Sequence, residues 1–188
     1  MFKRFNADSD CSTSTQTKTS VQRGIKNFIC TSHPKLESDD LDELLPKKPP
    51  LMQYKVSGGN HITLYCQNTL PIFFESRDGP ILPTLKFVHR YSDLGWTSVT
   101  VDEGAIPFIL GGANIMCPGL TNPGGRMPED EVLEKGRGVI IFAEGKEHAI
   151  ACGIMKLSSE EIRSKNKGIG VEVCHFMGDG LFNTNDIS

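Results

Sequence analysis

The stretch from Val101 to Leu120, V-D-E-G-A-I-P-F-I-L-G-G-A-N-I-M-C-P-G-L, constrains this chain more than any other segment. A short strand runs into Asp102, a residue type whose side chain accepts the free N–H groups of a helix's first turn. Ala105, Phe108 and Ile109 follow at i, i+3 and i+4, the spacing of a short helix with one apolar stripe. Gly111 and Gly112 end that helix, since glycine takes the left-handed C-cap conformation without a Cβ clash. Ala113 to Cys117 reads as a second strand turned by Pro118-Gly119, which puts Gly119 at positive φ, where valine is strained. Gly125, in a glycine-rich stretch downstream, tolerates the same exchange better. Small residues around a turn let another backbone, or the sugar and phosphate edge of a nucleic acid, come close. A packed strand–helix–strand corner without any ligand has the same spacing.

Upstream, Asn6 to Thr19 is rich in Ser and Thr and reads as a loop. Ser20 caps a helix whose apolar face is Val21, Ile25, Phe28 and Ile29, and Ser38 opens a second with Leu41, Leu44 and Leu45, ended by Pro46. Leu51–Val56, His61–Cys66 and Leu70–Glu75 alternate with turn residues, which predicts an antiparallel meander. Pro83 suits the first turn of a helix with Leu85 and Val88 inside, and Ser92 to Gly95 is the linker. Downstream, Val139–Phe142 and His148–Met155 are apolar strands. Ser158 and Glu161 form a capping box, and Lys165 to Gly168 close that helix with cations and a C-cap glycine. Gly124 to Gly138, with Glu129-Asp130-Glu131, reads as a surface loop.

A chain of 188 residues suits one large domain or two small ones. No apolar run approaches the roughly 20 residues of a membrane span, and no signal-peptide core follows Met1-Phe2-Lys3, so no membrane and a cytoplasmic protein are expected. The six cysteines lack any C-x-x-C, and most sit in strand-like runs where a reduced thiol packs as a small hydrophobe. His148 with Cys152 and Cys174-His175 offers only a paper zinc site, so no metal is expected. Neither a nucleophile motif nor a phosphate-binding glycine loop occurs; Gly168-Ile169-Gly170 is better explained as a strand turn. A non-catalytic chain without a cofactor follows.

V-D-x-G-A with G-A-N-I-M-C-P-G-L, the two strands joined by A-E-G-K-E-H-A, and N-K-G-I-G-V-E at Asn166–Glu172 resemble a PUA domain, a small RNA-binding pseudo-barrel. Met1-Phe2-Lys3, K-T-S-V-Q-R-G-I-K-N from Lys18, P-K-K-P from Pro46 and G-P-I-L-P-T-L-K from Gly79 extend the likeness. Over nearly its whole length the chain resembles the malignant T-cell amplified sequence family. The resemblance implies an α+β fold: an N-terminal pre-PUA domain over residues 1–95, an α/β unit with the meander, then a PUA-like β pseudo-barrel over 96–188. It also implies an RNA-binding translation factor of the small ribosomal subunit, acting with a density-regulated-protein partner in tRNA release, recycling and re-initiation.

By that resemblance the PUA turn faces the tRNA acceptor end through Gly111, Gly112, Ala113, Asn114, Met116, Pro118 and Gly119. Lys146, Lys167, Gly168 and Gly170 stand nearby, with Arg126 and Arg137 as further local cations. Ribosomal RNA is expected to meet Lys18, Arg23, Lys26, Lys47 and Lys48 of the first half. Charge complicates this picture: residues 96–188 hold eight Lys/Arg against thirteen Asp/Glu, net −5, while residues 1–95 are net +2. Phosphate gripping normally needs a basic surplus, so RNA contacts in the second half must be local. A protein-interaction module without RNA affinity, favoured by that acidity, and a targeting subunit of an RNA-modifying enzyme stay open.

Overall fold

The computed structural model describes residues 1–35, 42, 44–46, 48–57 and 61–187. The expected helix from Ser38 and the turn from Ser57 to Asn60 lie largely outside them. Two five-stranded sheets carry the α+β fold. The first is antiparallel in chain order: β1 (Cys11–Gln16), β2 (Met52–Val56), β3 (Ile62–Gln67), β4 (Leu70–Glu75) and β5 (Leu82–Pro83). The predicted meander is thus β2 to β4. Gln67 pairs with Leu70, leaving a two-residue loop in which Asn68 takes φ +57°, the left-handed geometry such hairpins require.

The second sheet is ordered β6 (Ser98–Val101), β8 (Gly138–Ala143), β9 (Ala151–Met155), β10 (Ile169–Phe176) and β7 (Ile115–Met116), with β6 and β8 parallel. Its central strands are apolar on both faces because they serve two cores. Val139, Ile141, Ala151, Met155, Val171 and Val173 pack with Val99, Val101 and Ile109. The alternate residues Ile140, Cys152 and Cys174 face Leu64, Phe74 and Leu82 of the first half. A strand whose two faces are both covered reads as a continuous apolar run rather than an alternating one.

Several local expectations are corrected. Residues read as a loop after Asn6 form a short helix, α1 (Ala7–Asp10), and edge strand β1, whose ladder to β2 runs from Cys11↔Val56 to Gln16↔Met52. Backbone pairing creates β1; its polar side chains leave no apolar alternation to read. Helix α2 (Thr19–Ser32) starts before Ser20 and buries Gln22, Ile25, Ile29 and Ser32, leaving Val21 and Phe28 exposed. Polar residues hold that stripe because they are bonded: Gln22 donates to Pro46 O, and Thr97 Oγ1 donates to Ser32 O.

Pro83 lies in edge strand β5, where a missing N–H costs no ladder bond, and Thr84 instead caps α3 (Leu85–Arg90). The strand expected over His148–Met155 begins at Ala151. The stretch from Gly124 to Gly138 is no free surface loop: Arg126 bridges Thr100, and Met127 and Leu133 are buried in the second core. The capping box of Ser158 and Glu161 opens helix α6 (Ser159–Lys165) as expected, but Asn166 at φ 43°, not Gly168, is its left-handed C-cap. Among the described residues no helix is long and apolar enough to cross a membrane.

Candidate nucleic-acid interface

Asp102 caps a single 3-10 turn over Glu103–Ala105, accepting the Ala105 N–H at 3.1 Å, and α4 (Ile106–Leu110) follows. A five-residue helix lying on a core has room for one buried position, which Ile109 takes. Phe108, about 100° around the helix, turns outward and is 70% exposed, against the expectation that it belonged to the buried stripe. Gly111 is right-handed, and Gly112, at φ +87°, makes the reversal. The strand beyond it is only Ile115–Met116. Pro118-Gly119 does not turn a strand but opens α5 (Pro118–Thr121), where proline fits the first helical position.

These elements enclose a cleft of about 610 Å³. Of the residues singled out in the sequence, Ala113, Asn114, Met116 and Gly119 line it. Asn114 Oδ1 accepts the Val173 N–H at 3.0 Å, so this side chain also ties the loop to β10. Met116 is 51% exposed and Ile169, its cross-strand partner, 42%. With Phe108 they present an apolar platform whose one charged wall residue is Asp102.

Gly168 and Gly170 flank Ile169 but do not themselves line the cleft. Gly168, at φ +89°, accepts the Cys117 N–H through its carbonyl, and a Cβ on Gly170 would press Ile162 and Leu120 at 3.2 Å, so the first serves the turn and the second packing. Gly111 and Gly112 form the neighbouring turn, held by Lys3 Nζ donating to Gly111 O at 2.7 Å. Pro118 starts the helix behind Gly119. Lys167 offers its carbonyl to Cys117 Sγ. Lys146 lines a separate 390 Å³ cavity with Arg126 and Glu144, and Arg137 has buried Nε and Nη2 atoms without a partner among the described residues; neither cation lines the cleft.

Sequence reasoning missed Phe108 and Ile169. The signal was there for the first: I-P-F-I-L puts five apolar residues on too short a helix to bury them all.

The cationic residues of the first half converge better. Arg23, Lys26 and Lys48 line one cavity of about 640 Å³ along α2, where Lys26 pairs with Asp42 at 2.5 Å. Lys18 is the exposed N-cap of α2, and Lys47 lies outside the described residues. The six cysteines are free, and burial pushes the Cys66 and Cys174 thiols up to about 12 and Cys11 to about 11. Among the described residues no three His, Cys, Asp or Glu side chains gather as metal ligands do.

The same geometry reverses the expected glycine ranking. Gly119 has no positive φ, and a Cβ there meets Ile115 and Ala105 at ordinary distances of 3.6 and 3.8 Å. A Cβ on Gly125 would strike the Leu120 backbone at 2.6 and 2.7 Å. Gly125→Val is therefore expected to cost roughly 1–3 kcal/mol and Gly119→Val clearly less. Paired thermal melts check this, and an equal or opposite order contradicts the packing described.

Residues 5–91 match the Pre-PUA-like domain family and residues 97–177 the PUA domain family. Translation machinery-associated protein 20 of Schizosaccharomyces pombe is 47% identical over 184 residues, 98% of each chain. The malignant T-cell-amplified sequence 1 homolog of Dictyostelium discoideum is 45% identical over 97% of each chain, and that of Drosophila melanogaster 45% over the full length of both. Among solved structures, a hypothetical protein of Pyrococcus horikoshii superposes with TM-score 0.68 at 23% identity, covering 90% of this chain and 98% of that one. A conserved PUA domain protein of Thermoplasma acidophilum gives 0.57 at 20% identity, covering 90% and 97%. At such identities these two bear on the fold alone.

Proposed function

The chain belongs to the malignant T-cell-amplified sequence family, and from that premise we propose a non-catalytic, RNA-binding translation factor acting on the small ribosomal subunit. In this reading it works in the cytoplasm in tRNA release, recycling and re-initiation, beside a density-regulated-protein-like partner. The observation that carries the reading is the cleft of the PUA domain. Phe108, Met116 and Ile169 are exposed together at a glycine-lined turn, in the half of the chain that is net negative. Such a surface is poorly suited to gripping a phosphate backbone. It suits the unstacked bases of a single-stranded acceptor end, which bind by stacking on aromatic and apolar side chains. Docking falls to Lys18, Arg23, Lys26 and Lys48 in the positive half.

The two surfaces make separable predictions. Replacing Lys18, Arg23 and Lys26 with Glu is expected to weaken sedimentation with small subunits and to flatten log affinity against log salt by about 2 units, each lost phosphate contact removing roughly 0.7. Phe108→Ser is expected to spare sedimentation and slow tRNA release. An unchanged salt slope in the triple variant sinks the docking face. A wild-type chain that never sediments with subunits, even with its partner, favours instead the interaction module that the acidic second half and its apolar cleft suit.

A further inference from the structure

We infer that the cavity along α2 is a phosphate-binding site, built to seat a phosphodiester group of RNA at the N-terminal end of that helix. The inference deepens the docking reading and rests on it for the identity of the ligand. Helix α2 is fourteen residues long, and at its start Lys18 supplies no side-chain cap and no acidic residue stands in the first turn. Its first N–H groups and the positive end of its dipole are thus left for something else to satisfy.

Thr17 supplies the independent sign that the site takes a ligand. It is 3% exposed, lines the cavity just before the helix, and its hydroxyl has no hydrogen-bond partner among the described residues. Its backbone N–H is by contrast engaged, donating to Leu51 O at 2.8 Å. A buried hydroxyl without a partner destabilises a fold unless a bound group completes it.

The rest of the wall says what that group is. Arg23, Lys26 and Lys48 are donors with no acceptor of their own, and among the described residues lining the cavity only Asp42, held by Lys26, opposes them. Open helix N–H groups, a free hydroxyl and three cations ask for a compact, acceptor-rich anion, which a phosphodiester is. Arg23 and Lys26 stand one turn apart along the lining face, so the next phosphate of the same strand meets a second charge. An arriving phosphate also competes with Asp42 for Lys26, which makes the site salt-sensitive.

The test uses the full chain and two probes, inorganic phosphate and a short oligouridylate, followed through the amide shifts of Thr17 to Arg23. Both probes are expected to move these amides, the oligonucleotide at lower concentration and less so as salt rises. Thr17→Val is expected to weaken both by about tenfold, and Thr17→Ser to restore them. Because the hydroxyl has no partner to lose among the described residues, Thr17→Val is expected to keep or raise the melting temperature, which separates lost binding from lost fold. Amides that stay still with both probes, or a Thr17→Val variant that binds like the wild type, overturn the site. Shifts with phosphate but none with oligouridylate overturn its assignment to RNA. Should Thr17→Val lose both probes yet sediment with small subunits unchanged, the phosphate site stands and the docking reading fails.

Discussion

Phe2→Ala is expected to destabilise the whole chain by about 3–5 kcal/mol. Phe2 is 1% exposed and sits between the two halves. Its ring meets Phe74 of β4 edge-on at 5.0 Å, Phe5 at 5.6 Å and His175 of β10 at 5.9 Å. Its carbonyl accepts the N–H groups of Phe5 and Gly180, while buried Asp179 fixes the His175 ring, both carboxylate oxygens lying 2.9 Å from Nδ1. Truncation to alanine empties a site walled by both sheets. Phe28→Ala, at a half-exposed position on α2, is the control and is expected to cost under about 1 kcal/mol. Urea unfolding of the two variants decides the matter, and equal midpoints would remove the N-terminal segment from the core. Lys3 follows Phe2 and holds Gly111 O, so the same variant is expected to loosen the turn beside the cleft.

The meander, α2, the capping box at Ser158 and the Asp102 cap were legible because each is written in local chemistry: alternation, a side-chain acceptor, a turn residue. β1 was not, since an edge strand of Ser and Thr is selected by a neighbour's open backbone and not by its own side chains. The buried face of α2 was misjudged for a related reason. Gln22 and Ser32 go inside only because Pro46 and Thr97 meet them there, contacts that close over long sequence distances. Likewise the two-sided burial of β8 and β9 looks in sequence like any apolar run; which alternate residues serve which core emerges only when the first half is laid against them.

The cleft was half legible. Ala113, Asn114, Met116 and Gly119 could be picked out because small residues and turns announce close approach. Phe108 and Ile169 were missed because apolar residues are read as core by default, and exposure is a tertiary property. Gly168 and Gly170 were singled out for binding; the structure places them beside the cleft and not in its wall, Gly170 packed against Ile162, Leu120 and Cys117 and Gly168 at φ +89°. The cations of the first half were legible as a face. Their convergence on one cavity with Thr17 was not, because α2 meets Asp42, Lys48 and Pro50 only through tertiary contacts.

Lowering the pH from 7 to below 4 is expected to remove about 3 kcal/mol of stability through one side chain, His33. It is 0% exposed, directly follows α2, and its Nδ1 accepts the Thr97 N–H at 3.0 Å while Trp96 lies edge-on at 4.9 Å. The accepting Nδ1 fixes the neutral tautomer with its proton on Nε2, a buried atom with no partner among the described residues. A second proton would have to enter at Nδ1, facing a donor. Burial, and after it the Arg137 guanidinium, hold the His33 pKa down at about 4, against 6.5 for an ordinary histidine. Between those two values the unfolded chain binds a proton that the folded chain refuses. Stability therefore falls as pH drops from about 6.5 to about 4 and levels off below, a shift of about 2.5 units at 1.36 kcal/mol each. Carboxylates titrate in the lower part of the same window, so the measurement is a difference: urea midpoints across pH 7 to 4 for the wild type and for His33→Gln, which keeps an acceptor but takes no proton. The variant is expected to start less stable and to lose less on acidification. Parallel profiles, or a His33 ring that titrates near 6.5 by NMR, would show that the contact joining α2 to the start of the second half is not a neutral histidine.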